Sequence, residues 1–124
     1  MYERPSVSVL LGKTLTSVVN NDNTSLVFTD TDGTVYSLHH EQDCCESVMI
    51  EDIDNDLDVL VGSPIIMAEE VTNMPEPEQS PPQFAESYTW TFYKFATVKG
   101  YVTVRWFGTS NGWYSESVDF HLYQ

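Results

Sequence analysis

Basic side chains are scarce in this 124-residue sequence. Five Lys and Arg stand against 19 Asp and Glu, a formal net charge of −14. Contact with a nucleic-acid backbone needs a positive footprint, so direct nucleic-acid binding is not expected. An anionic membrane surface is disfavoured for the same reason. Long apolar runs are missing as well, and no stretch approaches the roughly 20 residues that a membrane-spanning helix requires. The opening residues have no basic stretch leading into an apolar run, so no secretory leader is expected and the expected location is the cytoplasm. Cysteine is confined to Cys44 and Cys45. Adjacent cysteines cannot staple distant strands, which excludes a disulfide scaffold. A bond between neighbours demands strained local geometry, so both are expected as reduced thiols. Phosphate-binding and dinucleotide-binding glycine patterns are absent, because Phe107–Gly112 reads FGTSNG at a hairpin rather than at a strand-to-helix crossing.

What is present is enough apolar material for a core: 41% of residues are hydrophobic and 13% aromatic. A chain of this length with that content forms one domain, taken as residues 1–124. Its periodicity is that of strands. Lys13–Val19, Thr24–Thr29 and Thr34–His40 alternate with a period of two and are separated by Asn20-Asn21-Asp22-Asn23 and by Asp30-Thr31-Asp32-Gly33, both turn-like in composition. Ser47–Glu51 and Ile65–Val71 read as further strands. Leu57, Leu60 and Val61 fit one short helix, capped by Asp54 or Asn55 and stopped at Gly62. Tyr88–Phe95, Tyr101–Phe107 and Trp113–Tyr123 read as aromatic strands joined at Lys99-Gly100 and Asn111-Gly112; the phase at Tyr93–Phe95 implies a bulge or burial on both faces. Residues 72–84, with Pro75, Pro77, Pro81 and Pro82, read as a mobile proline-rich loop. The expected fold class is mainly β: two antiparallel meanders forming a small barrel or roll, with one short helix.

Charge is unevenly placed. From Thr14 to Tyr93 there is no Lys or Arg, and those 80 residues carry 16 acids. Eight lie in one run: Glu41, Asp43, Glu46, Glu51, Asp52, Asp54, Asp56 and Asp58. Such a run is most often a solvated face. It also repels itself, and a cationic partner would offset that repulsion. These eight acids are therefore the candidate partner-binding residues, with a protein of basic surface as the expected partner.

The densest group of reactive side chains is His39-His40-Glu41-Gln42-Asp43-Cys44-Cys45-Glu46. Zinc or iron accepts these ligand types. The spacing lacks the two separated ligand pairs of structural zinc sites, and His40 shares a face with Tyr36 and Leu38, as a packed histidine would. No metal or other cofactor is expected. If a metal does bind, its ligands are to be sought among His39, His40, Asp43, Cys44, Cys45 and His121, with Asp43 or a cysteine in the set. A cysteine nucleophile with His40 or His121 as base can be written down, but no nucleophile elbow or comparable context supports it, so no catalytic residue is assigned. Asp52–Asp58 opens like a calcium loop and fails where the turn glycine and final glutamate are required, at Leu57 and Ser63.

The segments GKTLTSV (Gly12–Val18), FTDTDGTVYSLHHEQDCCESVMIEDI (Phe28–Ile53) and DLDVLVGSPIIMAEE (Asp56–Glu70), with the aromatic hairpins of Tyr88–Tyr123, resemble an uncharacterised family of small acidic proteins of bacteriophage and bacterial genomes. The pattern HxxDCCE, here His39 or His40 through Asp43, Cys44, Cys45 and Glu46, is the distinctive part of that resemblance. It implies a phage or mobile-element origin, host cytoplasm as the location, and a single β-rich domain; it implies no activity. The leading expectation is an interaction protein that modulates a host nucleic-acid-binding protein by charge mimicry. The alternative is a metal-binding or cysteine-dependent accessory protein using the His39–Glu46 cluster.

Overall fold

The computed structural model describes residues 6–42, 45–73, 87–110 and 115–123. Strand β1 (Leu15–Asn21) pairs antiparallel with β2 (Ser25–Asp30), and β2 with β3 (Val35–His39). Both connections follow from turn chemistry. Asp22 and Asn23 have φ of 53° and 62°. Two successive left-handed residues give the turn whose twist matches paired strands, and short polar side chains tolerate that conformation. In the second turn Gly33 takes φ 83°, and the Asp30 carboxylate accepts from the backbone N–H of Asp32 and of Thr34 at 2.9 and 3.0 Å. The first meander is thus built locally, as its turns predict.

The second half is a further meander. β5 (Met67–Asn73), β6 (Ser87–Thr97) and β7 (Gly100–Ser110) pair in order, and Thr97 faces Gly100 across a two-residue loop. The remaining two strands cross over. β4 (Ser47–Ile53) joins β7, and β8 (Asp119–Tyr123) joins β3, so the sheets run β1-β2-β3-β8 and β4-β7-β6-β5. Each sheet is a three-stranded meander completed by a strand from elsewhere in the chain. No closed barrel forms among the described residues; the two sheets make a roll.

The inner faces build one core. Leu26, Phe28, Tyr36, Leu38 and Phe120 of the first sheet meet Val48, Ile50, Tyr93, Phe95, Val102, Val104 and Trp106 of the second. Burying each large side chain contributes about 1.5–3 kcal/mol, and Phe28 tilts against Phe95 at 5.4 Å between ring centroids. Two 3-10 helices, Val7–Leu10 and Leu57–Leu60, bring Val7, Leu10 and Leu60 into this core.

Several expectations are corrected. The expected short helix is the 3-10 turn Leu57–Leu60, capped by Asp56 rather than Asp54 or Asn55. Val7–Leu10 is a second such turn. The last strand begins at Asp119, residues 115–118 lie before it outside any strand, and Trp113 and Tyr114 lie outside the described residues. Tyr93, Phe95, Ala96 and Thr97 are all buried with no register shift in the β6–β7 ladder, so the phase ambiguity reflects burial on both faces, not a bulge. Of the loop expected at 72–84, Thr72 and Asn73 belong to β5; residues 74–84 lie outside the described residues.

Candidate metal centre

β3 alternates, sending Tyr36 and Leu38 into the core and Ser37 and His39 to the opposite face. β8 does the same with Phe120 and His121. In the β3–β8 register Ser37 faces His121, and His39 faces Asp119. His39 and His121 are therefore diagonal cross-strand neighbours, within reach of one another's rings. The two imidazoles stack at 4.5 Å between centroids.

Just past the end of β3 the chain turns back. The Glu41 backbone N–H donates to Asp119 Oδ2 at 3.2 Å, which sets the Glu41 side chain beside both histidines. Its Oε1 lies 3.1 Å from His39 Nε2 and 3.0 Å from His121 Nε2. Two ring nitrogens thus converge on one carboxylate oxygen, and the three ligand-type groups place their atoms within 4.8 Å of one another. The nitrogen–oxygen separations compare with an edge of about 3.3 Å for a tetrahedron of ~2.0 Å metal–ligand bonds.

The contacts at the two histidines are not equivalent. His39 is held at its other nitrogen, Nδ1, by Ser37 Oγ at 2.9 Å, an outer-shell contact that orients a ligating imidazole. For His121 the 3.0 Å separation from Glu41 Oε1 is in ion-pair range but does not make a hydrogen bond. Nε2 is a buried nitrogen with no hydrogen-bond partner. Such a group costs about 1–3 kcal/mol unless something satisfies it.

His40 plays a different part. Its side chain is 4% exposed, and it bridges Ser117 O (2.7 Å to Nδ1) and Glu46 Oε2 (2.8 Å to Nε2). The carbonyl can only accept, so Nδ1 carries the proton there. Gln42 Nε2 donates to Glu46 Oε1 and to the Glu46 carbonyl. This network packs the crossing from β3 to β4 and agrees with the reading of His40 as a packed histidine. A cleft of about 570 Å³, lined in part by His39, His40, Gln42 and Glu46, opens beside it.

The cysteines differ from expectation. Cys45 is disulfide-bonded. The sequence has only one other cysteine, the adjacent Cys44, which lies outside the described residues. For Cys45 the expectation of a reduced thiol is therefore overturned, and a bonded sulfur is not available as a thiolate ligand. Asp43 also lies outside the described residues.

The other acids of the run hold separate posts. Glu46 is buried. Glu51 pairs with Arg105 at 2.8 Å. Asp54 accepts the Thr103 backbone N–H at 2.7 Å, and Asp56 caps the 3-10 helix. Asp52 and Asp58 are exposed. Glu41, grouped in the sequence with the partner-facing acids, is the third member of the histidine cluster. Its role depends on the β3–β8 pairing, for which the sequence carries no local signal.

A family described as Domain of unknown function (DUF7448) matches residues 8–120. The chain belongs to this family. No curated protein matches, and no solved structure matches. No helix among the described residues of this DUF7448 domain is long and apolar enough to cross a membrane.

Proposed function

We propose that this DUF7448 domain is a metal-binding accessory module that holds one divalent transition-metal ion through His39, Glu41 and His121. The observation that carries this reading is the convergence of His39 Nε2 and His121 Nε2 on one Glu41 carboxylate oxygen, at 3.1 and 3.0 Å. Two imidazoles and a carboxylate suit zinc, and also iron or nickel. Ser37 supports the reading by fixing the His39 ring from behind. Three protein ligands leave at least one coordination position for water or a donor from another molecule, the arrangement of exchangeable rather than purely structural sites. The main sequence expectation, an acidic mimic, draws less support, because most described acids of the run are engaged within the domain.

The test is titration of chelator-treated protein with zinc, and with cobalt as a spectroscopic reporter of coordination. The expected outcome is one ion per chain, with affinity falling at least tenfold in His121→Ala and in Glu41→Gln. A Cys44→Ser, Cys45→Ser double variant is expected to keep its affinity. Zinc binding that survives both of the first two variants, or that vanishes in the cysteine variant, overturns the assignment.

A further inference from the structure

The cleft of about 570 Å³ beside β3 shares two residues with the metal centre: the ligand His39 and its partner Ser37 both line it. Its volume falls within the roughly 300–1,000 Å³ usual for small-molecule sites. The placement follows from the register. β3 lies between β8 and β2. On the β8 side His39 stacks against His121, and on the β2 side it faces Ser25, another lining residue. The three metal donors come from β3, from β8 and from the residue just past β3. β2 supplies none, and that is the side on which the cleft lies.

The hydroxyls of the lining select for acceptor atoms. A metal on His39 Nε2 uses that nitrogen's lone pair, which puts the ring proton on Nδ1. Ser37 Oγ, 2.9 Å away, then accepts from Nδ1–H and has its own hydrogen to donate. Ser25 Oγ accepts from Asn21 Nδ2 at 3.3 Å and likewise has its hydrogen to donate. Ser25 and Ser37 are diagonal neighbours on the paired strands β2 and β3. Charge adds a second requirement. A divalent ion held by one carboxylate and two neutral imidazoles retains a single positive charge. Glu46, an acid of the lining, is engaged by His40 and Gln42, and among the described residues no Lys or Arg lines the cleft. The attraction therefore comes from the ion, and a monoanion matches it better than the dianion of phosphate. Val48 and Met49 also line the wall, Met49 with 44% of its surface exposed, and suit a short carbon chain.

We propose that this cleft binds a small monocarboxylate, with one oxygen on the metal ion and the other on the Ser25 and Ser37 hydroxyls. The inference rests on the metal centre proposed above. The probe is butanoate, added to cobalt-loaded protein at physiological salt and read by the visible absorption of the ion. A saturable change in the cobalt bands is expected, at one butanoate per chain. The metal-free protein is expected not to bind butanoate in calorimetry, and the neutral amide butanamide is expected to bind the cobalt form at least tenfold more weakly. Ser25→Val suits a strand, removes one donor and narrows the cleft. It is expected to take up cobalt as the parent does and to bind butanoate at least tenfold more weakly. A thermal melt establishes that it is folded, and the metal-free and amide comparisons decide the matter where it is not. Protein that takes up no cobalt overturns the metal centre and this inference together. Cobalt uptake with bands that butanoate leaves unchanged overturns the inference alone. So does butanoate binding of equal strength in the metal-free protein or in folded Ser25→Val, and so does equal binding of the amide.

Discussion

Asp30 shows how much a single side chain organises. It is 3% exposed, and besides its two backbone donors it accepts from the Tyr36 hydroxyl at 2.9 Å. Burial acts to raise its pKa, but the Tyr36 hydroxyl and the Thr34 and Asp32 N–H groups outweigh it, leaving the carboxyl below its ordinary value of 3.8. Tyr36 is pushed up to about 12, by burial first and by Asp30 second, so it stays a donor throughout the neutral range. Asp30→Ala is expected to cost about 2–4 kcal/mol at neutral pH, the sum of lost charge-assisted bonds and donors left unsatisfied. The sign of the pH dependence follows from the lowered folded-state pKa. The contribution is fully present above the unfolded value near 3.8 and is lost as pH falls through the lower folded value. Urea unfolding of parent and variant should therefore differ most at neutral pH, and the gap should narrow below about pH 4. A gap that widens toward acid would contradict this account of Asp30.

At the scale of elements, the local parts were legible and the crossings were not. Asp32-Gly33 and the Val102, Val104, Trp106 alternation led directly to the β2–β3 turn and the inner face of β7, because turn chemistry and period-two burial are written in neighbouring residues. The pairings β3–β8 and β4–β7 join residues more than fifty positions apart, and nothing local specifies them. That is why the His39–Glu41–His121 cluster could be read only as scattered histidines and an acid. The residues that fasten the crossings are polar and buried. His40 and Glu46 pin the passage from β3 to β4, and His40 reaches Ser117 on the approach to β8. Removing one partner of a buried pair strands the other, at about 3–5 kcal/mol. His40→Ala is expected to destabilise by that amount in denaturant melts, while His39→Ala, at a more exposed position, is expected to cost under about 1 kcal/mol. Equal costs at the two positions would remove His40 from this fastening role. Close approach marks the second crossing as well: a Cβ on Gly108 would lie 3.0 Å from both Cβ and the carbonyl oxygen of Glu116, so a side chain there would press that stretch away from β7 by a few tenths of an ångström.

For the molecule as a whole, a net charge of −14 opposes compaction. Few cations relieve it. Arg105 pairs with Glu51 and lies over the Trp90 ring, Lys94 faces Glu69 across the β5–β6 ladder, and Lys99 donates to the Val61 carbonyl. Salt should substitute for the missing countercharge. Raising ionic strength from about 0.01 to 0.15 M shortens the screening length from roughly 30 to 8 Å, and the melting temperature is expected to rise by several degrees. A melting temperature that falls with added sodium chloride would mean that specific ion pairs, not net repulsion, dominate the electrostatics.

The placement of β8 also sets an order of events during synthesis. β3 is complete once residue 39 has been made, yet its neighbour on that side is the stretch 119–123. A ribosome must add some eighty more residues before the partner exists, and bridging so long an interval carries the largest entropic penalty in the fold. Until then Tyr36 and Leu38 sit on an open sheet edge, a state in which nascent chains are prone to stray associations. His121 arrives with the same strand. The histidine cluster therefore comes into being only when the roll closes, and occupancy of that cluster would report on the completion of folding as directly as any spectroscopic probe.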